Sequence, residues 1–130
     1  MRHSAALFAV AVTALAACSD PVEIPSLAGE WTGRTRGVEQ WTFNFDDAPN
    51  PGDLAGTVLM VNGGTVRGTV SGSYDHPSVT VDLRVTVDGV DPPVEHPAEY
   101  HGTVHEGINR IEGTLVIEER TYPLRLTRTR

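Results

Sequence analysis

Apolar and polar residues alternate with a period of two through most of the chain from Gly29 onward. Such alternation is typical of β-strands with one buried face, and clusters of Gly, Pro, Asn and Asp separate the alternating stretches. We find no stretch with helical periodicity in this region. The pattern predicts strands over residues 30–37, 39–46, 54–61, 65–74, 78–87, 98–105, 110–118 and 121–128.

The alternation also assigns the side chains to an apolar face and a polar face. The aromatic residues of this region all fall on the apolar face: Trp31, Trp41, Phe43, Phe45, Tyr74, Tyr100 and Tyr122. The opposite face carries threonine and charged residues, among them Arg67, Thr80 and Asp82. An apolar interior with a charged exterior predicts a barrel or sandwich in water, since a barrel embedded in a membrane has the reverse arrangement.

Four predicted strands share the local pattern apolar-x-Gly-Thr-apolar, with the glycine on the inward face. The four glycines are Gly56, Gly68, Gly102 and Gly113. A glycine within a strand contributes no packing and weakens the strand. Two interpretations follow: the glycines let the sheet bend sharply enough to close, or they leave room for a ligand.

Eight short strands joined by hairpins predict an all-β fold, an eight-stranded antiparallel up-and-down β-barrel over residues 29–130. Its first strand begins with Gly29-Glu30-Trp31, which resembles the G-x-W of the calycins, a group that includes lipocalins, avidins and small bacterial metalloprotease inhibitors. The resemblance implies that an Arg near the end of the last strand packs over this Trp. The inward phase of the last strand independently directs Arg128 towards Trp31. The sequence shows no sign of the helix that precedes the last strand of larger lipocalins, so an avidin-like or inhibitor-like size fits better.

The N-terminal region has a basic start, an apolar stretch over residues 5–17 and then the only cysteine, Cys18. This order predicts a secretory signal peptide, residues 1–17, cleaved before Cys18. The apolar stretch is shorter than the roughly 20 residues of a transmembrane helix. The segment Leu15-Ala16-Ala17-Cys18 resembles the lipobox of bacterial lipoproteins. This resemblance implies that Cys18 carries acyl chains, palmitate among them, and becomes the first residue of the mature protein.

Residues 18–28 then form the lipidated N-terminus and a tether, which contains Pro21 and Pro25. The resemblance implies a protein of the cell envelope, held on a membrane by its acyl chains. Ser19 is not the Asp that typically retains such proteins at the inner membrane in enteric bacteria, so we expect the outer membrane, facing the periplasm. An acylated Cys18 leaves no thiol for a disulfide or for catalysis.

The charge balance argues against one class of partner. The chain has 17 acidic and 10 basic residues, a net charge of −7, and every basic residue is arginine. No basic patch runs along the predicted domain except near the C-terminus. We therefore expect no nucleic-acid partner.

Several titratable residues are candidates for catalytic or metal-binding groups. His101 and His105 lie four positions apart on one strand, about 13 Å at ~3.3 Å per residue, too far to share one metal ion. The acidic loop 46–53 does not have the spacing of an EF-hand. His76 and His96 each follow an acidic residue, but no nucleophile or oxyanion donor accompanies them in a known motif. We expect no metal or other cofactor, and an enzyme is the least favoured class.

Two functional hypotheses remain from the sequence. In the first, the barrel binds a small apolar or amphipathic ligand in a cavity lined by Trp41, Phe43 and Tyr100; the alternative is that these aromatics simply fill the core. In the second, the domain is a protein-interaction module, such as an envelope protease inhibitor or assembly factor, acting through its N-terminal segment or its loops.

Overall fold

The computed structural model describes residues 26–46, 48–49, 51–105 and 109–129. Within these ranges the regular structure consists of strands alone, and each predicted strand end lies within two residues of an observed one. No helix long and apolar enough to cross a bilayer occurs in this part of the chain. The strands are β1 (Gly29–Thr35), β2 (Glu39–Phe45), β3 (Gly52–Val61), β4 (Thr65–Asp75), β5 (Ser78–Val87), β6 (His96–His105), β7 (Arg110–Ile117) and β8 (Arg120–Arg128).

Each strand pairs antiparallel with the next, and β8 pairs with β1 to close the sheet into a barrel. The β1–β8 seam aligns Trp31 with Arg128 and Thr32 with Thr127. It is extended by the backbone N–H of Thr129, which donates to the carbonyl of Glu30 at 2.8 Å. The predicted all-β, eight-stranded antiparallel barrel is therefore confirmed, and its topology is compatible with a calycin-like fold.

The inward glycines allow neighbouring strands to approach one another closely. A Cβ placed on Gly68 would overlap the carbonyl oxygen of Arg84, and one on Gly113 would overlap that of His101. At Gly102 a Cβ would instead meet core side chains, the nearest atom lying 2.6 Å away. The space beside these glycines is already occupied, so their placement favours barrel closure over room for a ligand.

The core is a single cluster inside the barrel, and burial alternates strictly along most of β5. Two of its members, Leu27 and Ala48, lie outside the strands, where a period-two pattern gives no assignment. Leu27 is 1% exposed although it falls in the expected tether, residues 18–28. The packed part of the chain therefore extends upstream of Gly29.

One end of the barrel, which we call the closed end, is sealed where β1 begins and β8 ends. Gly29 has a φ of 124°, which glycine adopts readily because it has no Cβ. Trp31 follows in the core, and its indole N–H donates to the carbonyl of Leu27 at 2.9 Å. The Arg128 guanidinium lies over the Trp31 ring, its carbon 4.5 Å from the ring centroid. The predicted contact between Trp31 and Arg128 is present.

The opposite end, which we call the open end, is formed by four connections between strands. These are the β1–β2 turn at 36–38, the β3–β4 turn at 62–64, the β5–β6 connection at 88–95 and the β7–β8 turn at 118–119.

Candidate functional site

A pocket of about 510 Å³ lies at the open end of the barrel. This volume falls within the range of roughly 300–1,000 Å³ that is usual for small-molecule sites. Every strand contributes at least one lining residue. The apolar lining residues are Trp41, Met60, Val66, Val85, Val87, Ile117 and Tyr122, and the polar ones are Thr35, Glu39, His96, Glu118 and Arg120.

The polar lining residues come from strand ends and the turns next to them, so they lie towards the rim. Thr35 ends β1, Glu39 begins β2, and His96 begins β6. Arg120 begins β8, directly after the turn that contains Glu118. Val85 and Tyr122 each lie two residues inside the open-end limit of their strand. The pocket therefore has a polar rim above an apolar wall.

A chain of hydrogen bonds fixes one side of this rim. The Trp41 indole N–H donates to the hydroxyl oxygen of Thr35 at 2.9 Å. The Thr35 hydroxyl in turn donates to Oε1 of Glu39, also at 2.9 Å. Thr35 is only 1% exposed and is the sole buried polar residue among those described. The arrangement holds the Trp41 ring and the Glu39 carboxylate in place.

The other side of the rim carries exposed charges. His96 Nδ1 lies 3.7 Å from Oε1 of Glu118, whose side chain is 72% exposed. Arg120 is exposed, and we find no ion pair for it within the described ranges. Glu118 and Arg120 are both exposed, whereas Glu39 is half-buried.

Of the three aromatic residues expected to line a cavity, only Trp41 lines this pocket. Phe43 and Tyr100 are completely buried. The Phe43 ring centroid lies 6.4 Å from that of Trp41 and 5.7 Å from that of Tyr100. These two residues form part of a packed core next to the pocket, so the barrel is filled in one part and hollow in another.

Tyr100 is fixed within that core by its hydroxyl group. The O–H donates to the carbonyl of Leu124 at 2.9 Å. Burial raises the pKa of the Tyr100 phenol, and the charge of Glu112 raises it further. A protonated phenol with a backbone partner is a structural group rather than one that faces a ligand.

The described ranges contain six exposed large hydrophobic residues, and most of them surround the open end. They are Val38, Leu59, Val61, Val87, Val90 and Val94. All except Leu59 lie in or beside the four connections of the open end, and Leu59 is two residues from Val61. Single exposed hydrophobic residues are ordinary, but a concentration at one end of a molecule points to contact with an apolar partner.

The outer-face histidines lie beside carboxylates instead of next to one another. His101 Nε2 is 3.4 Å from Glu99, and His105 Nε2 is 3.1 Å from Glu112. Across the described ranges, no three His, Cys, Asp or Glu residues are grouped so that they could hold a metal ion. The loop 46–53 includes Asp47 and Asn50, which lie outside the described residues.

Sequence reasoning missed the pocket residues Glu39, Glu118 and Arg120. The available signal was topological: in an up-and-down barrel the residues that flank every second hairpin meet at one end. Cys18 and the rest of residues 1–25 lie outside the described residues.

Comparison with known proteins adds no family to this picture. No protein-family model matches the sequence, and searches of curated proteins and of solved structures find no match. The function must therefore be inferred from the pocket itself.

Proposed function

We propose that this protein is a lipid-anchored protein of the bacterial envelope that binds a small amphipathic molecule in the open-end pocket and catalyses no reaction. The observation that carries the proposal is the pocket of about 510 Å³ to which every strand contributes. Its apolar wall suits a hydrocarbon segment, and its polar rim suits a head group. A few polar groups on a mostly apolar surface are typical of sites that bind and orient small molecules.

The position of the tether is compatible with this function. The chain enters the barrel at the closed end, where Arg128 donates to the carbonyls of Ser26 and Ala28. The pocket opens at the opposite end. We propose that acyl chains on Cys18, in the outer membrane facing the periplasm, anchor the closed end. The eight residues from Ser19 to Ser26 reach at most about 26–29 Å when extended, so the barrel would stay near the membrane with its pocket unobstructed.

Ligand binding is tested with a neutral apolar fluorophore, N-phenylnaphthylamine. We expect the wild-type protein to bind it, with a rise in its fluorescence. Val66→Trp should abolish binding because Val66 lines the pocket and the larger side chain fills it. The matched control is Val61→Trp, since Val61 is 48% exposed and does not line the pocket. Equal binding by the wild type and Val66→Trp would contradict the proposal, as would no binding by the wild type.

The anchor is tested by fractionating bacteria that express the full chain. We expect the wild-type protein in the membrane fraction, with a mass that shows cleavage before Cys18 and acylation of that residue. Cys18→Ser should lose the acyl chains and the membrane association. A wild-type protein that stays in the soluble fraction would contradict the anchor and leave ligand binding unaffected.

A second candidate function, a protein-interaction module such as an envelope protease inhibitor or assembly factor, is favoured by the exposed valines of the open end. Val38 is 62% exposed and Val94 is 52% exposed. If they contact a protein partner, Val38→Asp with Val94→Asp should abolish that contact without reducing fluorophore binding. Failure of the purified protein to inhibit envelope metalloproteases would exclude the inhibitor.

A further inference from the structure

Among the charged residues that line the pocket, Glu39 is the one whose side chain is hydrogen-bonded to a buried residue. Its Oε1 accepts a hydrogen bond from Thr35, a residue that is itself 1% exposed. Within the described part of the chain, we find no second partner for the carboxylate, which leaves Oε2 for a ligand. A carboxylate that is already oriented loses little conformational freedom when a ligand binds.

The charges around the pocket favour a cation over an anion. The pocket lining contains two carboxylates, those of Glu39 and Glu118, and one guanidinium, that of Arg120, while His96 is charged only when protonated. The whole chain adds a net charge of −7. The negative electrostatic potential that these charges produce together concentrates cations at the opening of the pocket and repels anions.

Aromatic residues in the lining suit the same kind of ligand. Trp41 and Tyr122 both line the pocket, and the Trp41 ring is held by its bond to Thr35. The faces of Trp and Tyr rings attract ammonium groups, and quaternary ammonium ligands are often recognised by such rings together. A ligand that carried a carboxylate would be repelled by the carboxylate of Glu39, and this repulsion would weaken its binding.

We infer that the pocket selects amphiphiles whose polar end is an amine or a quaternary ammonium group, with Glu39 as the counter-charge and the apolar wall covering the hydrocarbon tail. The inference rests on the proposed function, since it specifies the class of molecule that the same pocket binds.

The test compares three probes that share one tail and differ in charge: octyltrimethylammonium, octanol and octanoate. Each is titrated calorimetrically into the folded barrel below the concentration at which it forms micelles. We expect octyltrimethylammonium to bind about tenfold more tightly than octanol, the order of an ion pair with Glu39 and a cation–π contact taken together. Octanoate should bind more weakly than octanol.

Glu39→Gln tests the role of the carboxylate. The amide oxygen of the variant can still accept the hydrogen bond from Thr35, so the rim should keep its shape. We expect the affinity for octyltrimethylammonium to fall towards that for octanol, since only the attraction of the aromatic rings remains, with octanol binding unchanged. The matched control is Asp82→Asn, which removes one negative charge from an exposed residue that does not line the pocket and should leave ammonium binding unchanged.

The outcomes separate this inference from the proposed function. If the three probes bind equally, if octanoate binds most tightly, or if Glu39→Gln keeps the full preference for ammonium, the inference is wrong and the pocket still binds amphiphiles. If none of the probes binds, the proposed function itself fails. Should Glu39→Gln not fold, added salt provides the test in the wild type: it must weaken ammonium binding and spare octanol.

Discussion

Arg128 lies over the ring of Trp31, its guanidinium carbon 4.5 Å from the ring centroid. The same guanidinium donates to the carbonyl of Ala28 at 2.8 Å and to that of Ser26 at 2.6 Å. Only two residue pairs are in register between β1 and β8. Arg128 therefore reinforces the shortest pairing in the barrel, at the point where the sheet closes.

Arg128→Ala should lower the free energy of unfolding by about 2 kcal/mol, because it removes the contact with Trp31 and two charge-assisted hydrogen bonds. Urea unfolding measures the change. The control is Arg125→Ala: the Arg125 side chain is 64% exposed and pairs with Glu112, and an exposed pair contributes about 0–1 kcal/mol. Equal losses in the two variants would show that Arg128 has no special role in closure.

Gly68→Ala should destabilise the barrel by about 1–3 kcal/mol or more, the usual cost of forcing atoms into filled space. Its Cβ would overlap the carbonyl oxygen of Arg84 on β5, so the strands must move apart. Gly64→Ala is the control, because a Cβ at Gly64 meets nothing within 4 Å. Thermal unfolding of both variants tests the prediction, and a harmless Gly68→Ala would contradict it.

Thr35→Val should lower stability by about 1–3 kcal/mol, since it leaves the buried indole N–H of Trp41 without an acceptor. Thr35→Ser retains the hydroxyl group and should cost less. Urea unfolding measures both changes, and a change in tryptophan fluorescence against the constant background of Trp31 reports any movement of the Trp41 ring. If the two variants are equally stable, the hydrogen bond is not what holds Trp41 in place.

The double substitution Glu118→Asn with Glu119→Gly should stabilise the protein by about 1–2 kcal/mol. Glu118 and Glu119 have φ angles of 49° and 67°, a region that costs most residues energy and that Asn-Gly adopts readily in two-residue hairpins. Glu119→Gly alone should give part of the gain. An unchanged melting temperature in the double variant would contradict the prediction.

Stability should fall as the pH rises above about 10, the ordinary pKa of tyrosine in an unfolded chain. Burial raises the pKa of Tyr100 in the folded state, so above that pH the unfolded chain releases a proton that the folded protein keeps. The contribution of Tyr100 is fully present below the unfolded pKa and is lost as the pH rises towards the folded pKa.

Tyr100→Phe isolates this effect. The variant should be less stable at neutral pH, because the hydrogen bond from Tyr100 to the carbonyl of Leu124 is lost, and its stability should decline less steeply in alkali. Urea unfolding from neutral to alkaline pH measures both slopes. Identical slopes would show that Tyr100 does not cause the alkaline loss.

The strands were predictable because the period of two is a local property, and the barrel was predictable because eight short strands joined by hairpins are typical of one. The inward phase of β8 alone directed Arg128 to Trp31, given that the last strand of a closed barrel lies beside the first. The burial of Leu27 was not predictable in this way, because it lies outside any strand and its burial depends on Trp31 and the closed end.

The candidate pocket was harder to predict. The alternation of apolar and polar residues shows that Trp41, Phe43 and Tyr100 point inward. It does not show whether the inward side chains fill the space at every level of the barrel. That depends on their combined volume: Phe43 and Tyr100 pack together, whereas the smaller Val66 and Val85 leave a space near the open end. Glu39 and Glu118 belong to strand ends and turns, where the alternation stops.

The pairing of Glu30 with Thr129 places the start of β1 and the end of β8 side by side, with the hydroxyl of Thr129 donating to Oε1 of Glu30 at 2.8 Å. A short linker could therefore join these two points, and new termini could be opened elsewhere, as in a circular permutant. The β5–β6 connection at 88–95 would be a suitable place, since it is the longest of the open-end connections. Rearranged in this way, the barrel would present its open-end pocket beside its new termini, so that a reporter protein joined to them would lie next to the opening of the pocket.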